Sequence, residues 1–158
     1  MADASEIRLT AGWVAEALRS VKGALVSGDA AQVFGGVSID TRTLAPGELF
    51  FAIAGERFDG ALFAAKAIAA GAGGLVMPRG RGRDVTGGRA VADAGPVVPV
   101  VPVVIEVDDT TAALQALAQA VRRRSGTKVV AITGSAGKTT TKEVTSEFLE
   151  ARYSVVRN

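Results

Sequence analysis

The sequence predicts an α/β fold with largely parallel strand pairing, and three observations predict it. Short apolar runs alternate with segments of helical periodicity along the whole chain. One run, Leu49 to Ala54, is nearly all apolar, as a strand covered on both faces of a sheet must be. The run from Val129 to Ile132 passes through a glycine-rich turn straight into a helical segment. That is the start of a right-handed strand–helix–strand crossover, with its turn at the carboxyl end of the first strand, where open α/β sheets bind ligands.

The elements follow in order. Thr10 is a helix cap, and Trp13, Val14, Ala17, Leu18 and Val21 give the helix one apolar face to about Lys22. Val37 to Ile39 reads as a strand entering the polar Asp40-Thr41-Arg42. Ala45-Pro46-Gly47 is a turn, since Pro presets φ and Gly supplies a positive one. After the strand Leu49 to Ala54 comes a polar loop, Gly55 to Gly60. A small-residue helix then runs from Ala61 to Ala70 and stops at Gly71, ahead of a strand at Leu75 to Met77. Pro78 to Gly95 intersperses Arg79, Arg81, Arg83 and Arg89 with glycines and lacks aliphatic periodicity, so it reads as a solvated, flexible loop. It interleaves no aromatic residue for base stacking, which argues against nucleic acid. Val103 to Val107 is a strand. Asp108 or Asp109 caps the next helix, with Leu114, Leu117, Ala118 and Val121 on one face and Arg122 to Arg124 at its negative end. Ser125-Gly126 is a break, and a domain boundary falls in or just after this helix. Lys128 to Ile132 is expected as a strand, Lys138 to Ala151 as a helix, and Ser154 to Val156 as a further strand.

Composition narrows the chemistry. The chain has 158 residues, 48% hydrophobic and 22% charged, which suits a globular protein of one domain or one and a fraction. Its net charge of +2 makes no general case for a nucleic-acid partner. With 0 Cys and 0 His, disulfides, thiol nucleophiles, Cys/His zinc sites and histidine acid–base catalysis are excluded from this chain. Carboxylates, Lys, Arg, hydroxyls, backbone amides and a bound metal remain. Ala61 to Met77 is interrupted by Lys66 and glycines, and Val97 to Val107 is short and carries Pro99 and Pro102, so neither resembles a membrane-spanning helix. Met1 to Leu9 has no apolar signal core. The expectation is a soluble, cytoplasmic protein with no membrane insertion.

The segment Ile132-Thr133-Gly134-Ser135-Ala136-Gly137-Lys138-Thr139-Thr140-Thr141 is built like a polyphosphate cradle. Loop amides of Gly134, Ser135, Ala136, Gly137 and Lys138 would face phosphate oxygens, with Thr140 following in the helix. Lys138 would meet the terminal phosphates, and the Thr139 hydroxyl could ligate Mg²⁺. The bland alternative is a tight strand-to-helix turn with a solvated lysine. The common NTPase pattern wants glycine where Ile132 stands.

This variant loop resembles the ATP-binding signature of the Mur ligases, the ATP-dependent amide ligases of peptidoglycan precursor synthesis. With its Gly-Ser start and its Lys142-Glu143 pair it is most similar to the branch that adds D-alanyl-D-alanine to a UDP-N-acetylmuramoyl-tripeptide. The resemblance continues upstream through Asp40-Thr41-Arg42, Pro46-Gly47-Glu48-Leu49-Phe50 and Gly55-Glu56-Arg57-Phe58-Asp59-Gly60, which look like the uridine-nucleotide domain of the same ligases. It implies a uridine-nucleotide domain over 1–107, a connecting helix and linker over 108–126, and over 127–158 the first β–P-loop–α–β unit of an ATPase domain.

On the residues alone, Asp40 and Arg42 either pair to hold a turn or leave Arg42 for a diphosphate. The resemblance implies UDP-substrate contacts at Asp40, Thr41, Arg42, Glu56, Arg57 and Phe58, with Thr41 foremost. It also implies ATP and Mg²⁺ as cofactors, Lys138 as the catalytic cation and Thr139 as a metal ligand. The implied partners are the UDP-N-acetylmuramoyl peptide and D-alanyl-D-alanine, the latter bound outside this chain, with a monomer as the full-length state. Further metal ligands and the acceptor domain would follow Asn158, so the 158-residue piece by itself is expected not to ligate. The alternatives are the branch that adds diaminopimelate or lysine, and a non-catalytic uridine-nucleotide or phosphate-binding module. A GTPase or kinase fragment would not explain the upstream motifs.

Overall fold

A computed structural model describes residues 7–55, 59–82, 85 and 103–157. It divides into two compact units, Met1–Gly126 and Thr127–Asn158.

The first unit is built on a five-stranded sheet. Its strands are β2 (Ala24–Ser27), β4 (Val37–Ser38), β5 (Leu49–Phe51), β6 (Gly74–Pro78) and β7 (Val103–Val107), in spatial order β2-β7-β6-β5-β4. β4 to β7 pair in parallel, and β2 runs antiparallel to β7 along one edge. A separate antiparallel pair joins β1 (Leu9–Thr10) to β3 (Val33–Phe34). The helices are α1 (Ala11–Ala17), α2 (Ala64–Ala69) and α3 (Thr110–Ser125).

The two-residue period of a strand explains why the central strands read as continuous apolar runs. Leu49, Phe51, Val76, Val103, Ile105 and Val107 face one layer, where Val14 of α1, Leu18 just after it, and Ala113 and Leu117 of α3 cover them. The residues between them, Phe50, Leu75, Met77 and Val104, face the other layer and meet Ala61, Ala64 and Ala67 around α2. Alanines on α2 let its backbone lie close to the sheet. Glu106 shares the second face yet is only 8% exposed, and its carboxylate accepts the Gly82 N–H at 2.8 Å.

The caps follow their chemistry. The Thr10 hydroxyl accepts the Trp13 N–H at 3.2 Å to open α1. Of the two candidate caps for α3 it is Asp109 that acts, taking the N–H groups of Thr111 and Ala112 at 2.8 and 3.0 Å. Asp108 serves elsewhere. It pairs with Arg79 at 2.6 Å and Lys22 at 3.0 Å, and these two cations hold its carboxyl below the ordinary range, Arg79 foremost.

Several expectations need correction. The first helix ends at Ala17 and continues only as a 3₁₀ turn over Arg19–Val21, because Lys22 takes a left-handed φ of 55°. The helix expected from Ala61 begins as a 3₁₀ turn, Gly60–Phe63, opened by the Asp59 carboxylate on the Ala61 N–H at 2.9 Å. β5 stops at Phe51: Ala52 still donates to the Val76 carbonyl at 2.9 Å, and the Ile53 N–H then folds back onto the Phe51 carbonyl at 2.9 Å. The edge strand β2 and the two-residue strands β1 and β3 are too short to show a period in the sequence. The start of the Arg/Gly segment is not free: Pro78 belongs to β6, Arg79 is held by Asp108 and by the Lys22 carbonyl at 2.7 Å, and Arg81 reaches Asp59 at 3.4 Å. Arg83 and Arg89 lie outside the described residues.

The second unit corrects the expected strand–loop–helix–strand. Its helix α4 (Lys138–Glu150) forms as expected, but neither 128–132 nor 154–156 is a strand. A strand exists only through a neighbour's ladder of hydrogen bonds, and among the described residues neither segment pairs. Val129 and Val130 accordingly stand 62% and 60% exposed.

Candidate functional site

Two clefts matter, one in each unit. In the first, the parallel strands β4 and β5 end side by side, and the chain leaving them forms a cleft of about 490 Å³. Ile39, Asp40, Thr41 and Arg42 follow β4. Phe50 and Ile53 come from β5 and its exit, while Gly60, Phe63 and Lys66 come from the segment entering and forming α2. This is the carboxyl edge of the sheet, where side chains of successive loops converge because no helix or strand fills the space.

The Asp40-Thr41-Arg42 loop is tightly ordered by its own chemistry. The Ser38 hydroxyl donates to the Asp40 carbonyl at 3.1 Å and accepts the Asp40 N–H at 3.2 Å. The Asp40 carboxylate accepts the Arg42 backbone N–H at 2.9 Å, an Asx turn. The same carboxylate meets the Arg42 guanidinium, with Nε 3.0 Å from both oxygens and Nη2 on Oδ2. These side-chain hydrogen bonds, then the backbone one, hold the Asp40 carboxyl at about 2, with a smaller contribution from the Lys66 charge. Arg42 is correspondingly raised by Asp40. Of the two readings left open for this pair, the geometry is that of a turn held by an ion pair. Thr41 sits at the tip, half-buried, and its hydroxyl makes no hydrogen bond among the described residues.

The second wall is equally constrained. Ala54 and Asp59 bridge antiparallel, and the Ala54 N–H donates to the buried Thr110 hydroxyl at 3.3 Å. Gly60 lies so close to the end of β5 that a Cβ there would sit 2.6 Å from the Ala52 carbonyl carbon and the Ile53 nitrogen. Glu56, Arg57 and Phe58 lie outside the described residues. Lys66 and Phe63 were not singled out from sequence, although their i, i+3 spacing puts both on one face of a helix.

In the second unit, a cleft of about 550 Å³ is lined by Val129 to Ile132, Lys138, Thr139 and Lys142. Gly137 takes a φ of 75° at the helix entry, a conformation glycine adopts without strain. No side chain caps α4, so its first amides stay available to an anion, at the positive end of the helix dipole. The Lys138 ammonium folds back onto the Gly134 carbonyl, inside its own loop. Gly134, Ser135, Ala136 and Thr140 all stand exposed around this entry. A nucleoside polyphosphate fits this donor set. For a divalent ion the loop offers the Thr139 hydroxyl, and among the described residues no group of three or more acidic side chains gathers beside it. Lys142 lines the cleft, and Glu143 pairs with Arg157 at 2.7 Å. Among the described residues no helix is long and apolar enough to cross a membrane.

Residues 33–122 match the Mur ligase family, catalytic domain. The UDP-N-acetylmuramoyl-tripeptide--D-alanyl-D-alanine ligase of Bacillus subtilis is 40% identical over 136 residues, covering 85% of this chain and 27% of that protein. The structure of a UDP-N-acetylmuramoylalanyl-D-glutamyl-2,6-diaminopimelate--D-alanyl-D-alanyl ligase from Acinetobacter baumannii superposes with a TM-score of 0.68 at 28% identity, over 92% of this chain and 29% of its own. A MurF ligase from Thermotoga maritima, solved in complex with ADP, gives a TM-score of 0.50 at 27% identity, over 76% of this chain and 24% of its own. The chain thus spans 24–29% of the length of these relatives, and within that span it belongs to the Mur ligase family.

Proposed function

We propose that the chain supplies the uridine-nucleotide-holding and ATP-loop portions of an ATP-dependent amide ligase that joins D-alanyl-D-alanine to UDP-N-acetylmuramoyl-tripeptide in the cytoplasm. In this reading residues 1–107 hold the UDP end of the substrate, 108–126 connect, and 127–158 open the ATP-binding domain. The observation that carries it is the entry of α4. A glycine loop leads to uncapped helix amides, with Lys138 and Thr139 on one cleft, in a chain whose relatives bear that ligase name.

The reaction transfers the γ-phosphoryl group of ATP to the terminal carboxylate of the tripeptide. The amine of D-alanyl-D-alanine then displaces phosphate from the acyl phosphate, forming the amide. Little covalent work falls to the protein, so alignment and charge dominate. The amides of Gly134 to Lys138 hold the triphosphate. Lys138 exchanges its Gly134 carbonyl for β- and γ-phosphate oxygens, since a charged acceptor outcompetes a neutral one. Mg²⁺ would neutralise phosphate charge, and Thr139 is the residue here that would hold it. Thr41, at the tip of its ordered turn, contacts the uridine nucleotide, flanked by Asp40 and Arg42, and Glu56, Arg57 and Phe58 are assigned as further contacts from the family resemblance.

The test is Lys138→Ala in a ligase of the relatives' full length carrying this segment. ATP-dependent phosphate release should fall by about 10²–10³-fold, the loss typical of one preorganised charge-stabilising group. Binding of the UDP-linked substrate should be unchanged. Turnover near that of the unsubstituted enzyme would remove Lys138 from the mechanism. Supplying UDP-N-acetylmuramoyl-L-alanyl-D-glutamate with meso-diaminopimelate or lysine, against the tripeptide with D-alanyl-D-alanine, decides between the two branches, because only the true pair of substrates releases phosphate stoichiometrically with amide.

A further inference from the structure

The first cleft holds three charged side chains, and they are not equivalent. The Arg42 guanidinium is engaged by both oxygens of Asp40, through Nε at 3.0 Å to each and through Nη2. The carboxylate remains ionised throughout the neutral range, so it does not release its partner. That pair is electrically neutral, and its planar fork is occupied. Lys66 lines the same cleft, exposed, and among the described residues it forms no ion pair. Its charge reaches Asp40 across the cleft without bonding to it. The neighbouring helix positions Ala64 and Ala67 are buried against the sheet, which fixes α2 and turns Lys66 outward to the cleft mouth. Phe63, three residues earlier, and Ile39 and Ile53 supply partly exposed apolar walls beside it.

We propose that Lys66, rather than Arg42, is the cation that binds the diphosphate of a nucleoside diphosphate ligand in this cleft, and that Arg42 is a positioning residue for the Asp40–Thr41 turn. The inference rests on the uridine-nucleotide reading of the cleft and assigns its phosphate contact. An ammonium on a flexible stem suits this role, because it meets a phosphate as a point charge and needs no fixed planar partner. A neutral nucleoside would gain nothing from it, so the contribution of Lys66 is confined to the phosphates.

Titration calorimetry on the 158-residue chain with UDP, uridine and inorganic pyrophosphate tests this, with Lys66→Ala, Lys66→Gln, Lys66→Arg and the remote surface control Arg19→Ala. UDP should bind more tightly than uridine. Lys66→Ala and Lys66→Gln should weaken UDP about tenfold or more, the worth of one charge-assisted contact, and leave uridine unchanged. Lys66→Arg should keep most of the UDP affinity, and Arg19→Ala all of it. Circular dichroism and the emission of the single tryptophan, Trp13, report whether each variant is folded. UDP binding by Lys66→Ala and Lys66→Gln equal to that of the unsubstituted chain overturns the assignment. Equal affinity for uridine and UDP overturns it too while leaving the site reading intact. Failure of the unsubstituted chain to bind either one overturns both.

Discussion

The two units solve the problem of the strand-to-loop junction differently. At β4 and β5 the junction rests on a sheet whose inner strands β5 to β7 are buried on both faces, with β4 as a partly exposed edge, and the Asp40–Arg42 turn is locked by hydrogen bonds to its own backbone. At Gly134 to Lys138 the helix and loop are formed, but the preceding segment finds no ladder partner and stays exposed. A turn and a helix are local objects, closed by residues within a few positions of each other, whereas a strand is not. The phosphate loop can therefore take shape where its strand does not.

The comparison can be broken most forcefully in the core. Phe51→Ala removes a fully buried ring between the sheet and α1, and should cost about 3–5 kcal/mol in urea unfolding followed by Trp13 emission. Phe148→Ala, at a side chain 79% exposed in the second unit, should change that transition by less than about 0.5 kcal/mol. Equal effects would mean that the two regions are not energetically distinct. A smaller effect separates the two helix entries. Asp109→Ala strips α3 of a side-chain cap and should destabilise the first unit by about 1 kcal/mol without altering nucleotide binding. Gly137→Asp at the uncapped entry of α4 sets a negative charge before the phosphate amides. It should weaken ATP binding measurably while leaving the Trp13 transition in place.

The smallest effect is the pH dependence of the Asp40 turn. Its carboxyl is depressed to about 2 by Arg42, against an unfolded value near the ordinary 3.8. The pair's contribution is thus fully present above about pH 4 and fades as pH falls through about 2. Asp40→Asn should therefore be less stable than the unsubstituted chain at pH 7, with the gap shrinking toward pH 2 and closing only below it, as read by parallel urea titrations. Because the pair is exposed, the difference at pH 7 should be slight. A difference that persists undiminished at pH 2 would assign it to packing rather than to charge.

Much of this was legible in the sequence because it is local or periodic. The caps at Thr10 and Asp109, the doubly buried strands and the glycine entry to α4 each follow from spacing within a few residues. β2 was missed because Ala24 to Ser27 is a four-residue edge strand with mixed exposure, stabilised by pairing with β7 far along the chain. Lys66 was missed for a similar reason. Nothing near it in sequence is polar, and only the return of α2 to the edge of β4 brings it opposite Asp40 and Arg42.

The sequence by itself determined that strands and helices alternate, that no thiol or imidazole chemistry is available, and that a lysine and threonine follow a phosphate-type glycine loop. Tertiary structure alone closed Asp40 and Arg42 into an ion-paired turn, left Lys66 in the first cleft without an ion pair among the described residues, and chose which apolar run becomes a strand. Sequence encodes the contacts a residue can make with its near neighbours. Pairing across tens of residues depends on which surfaces the folded sheet brings together.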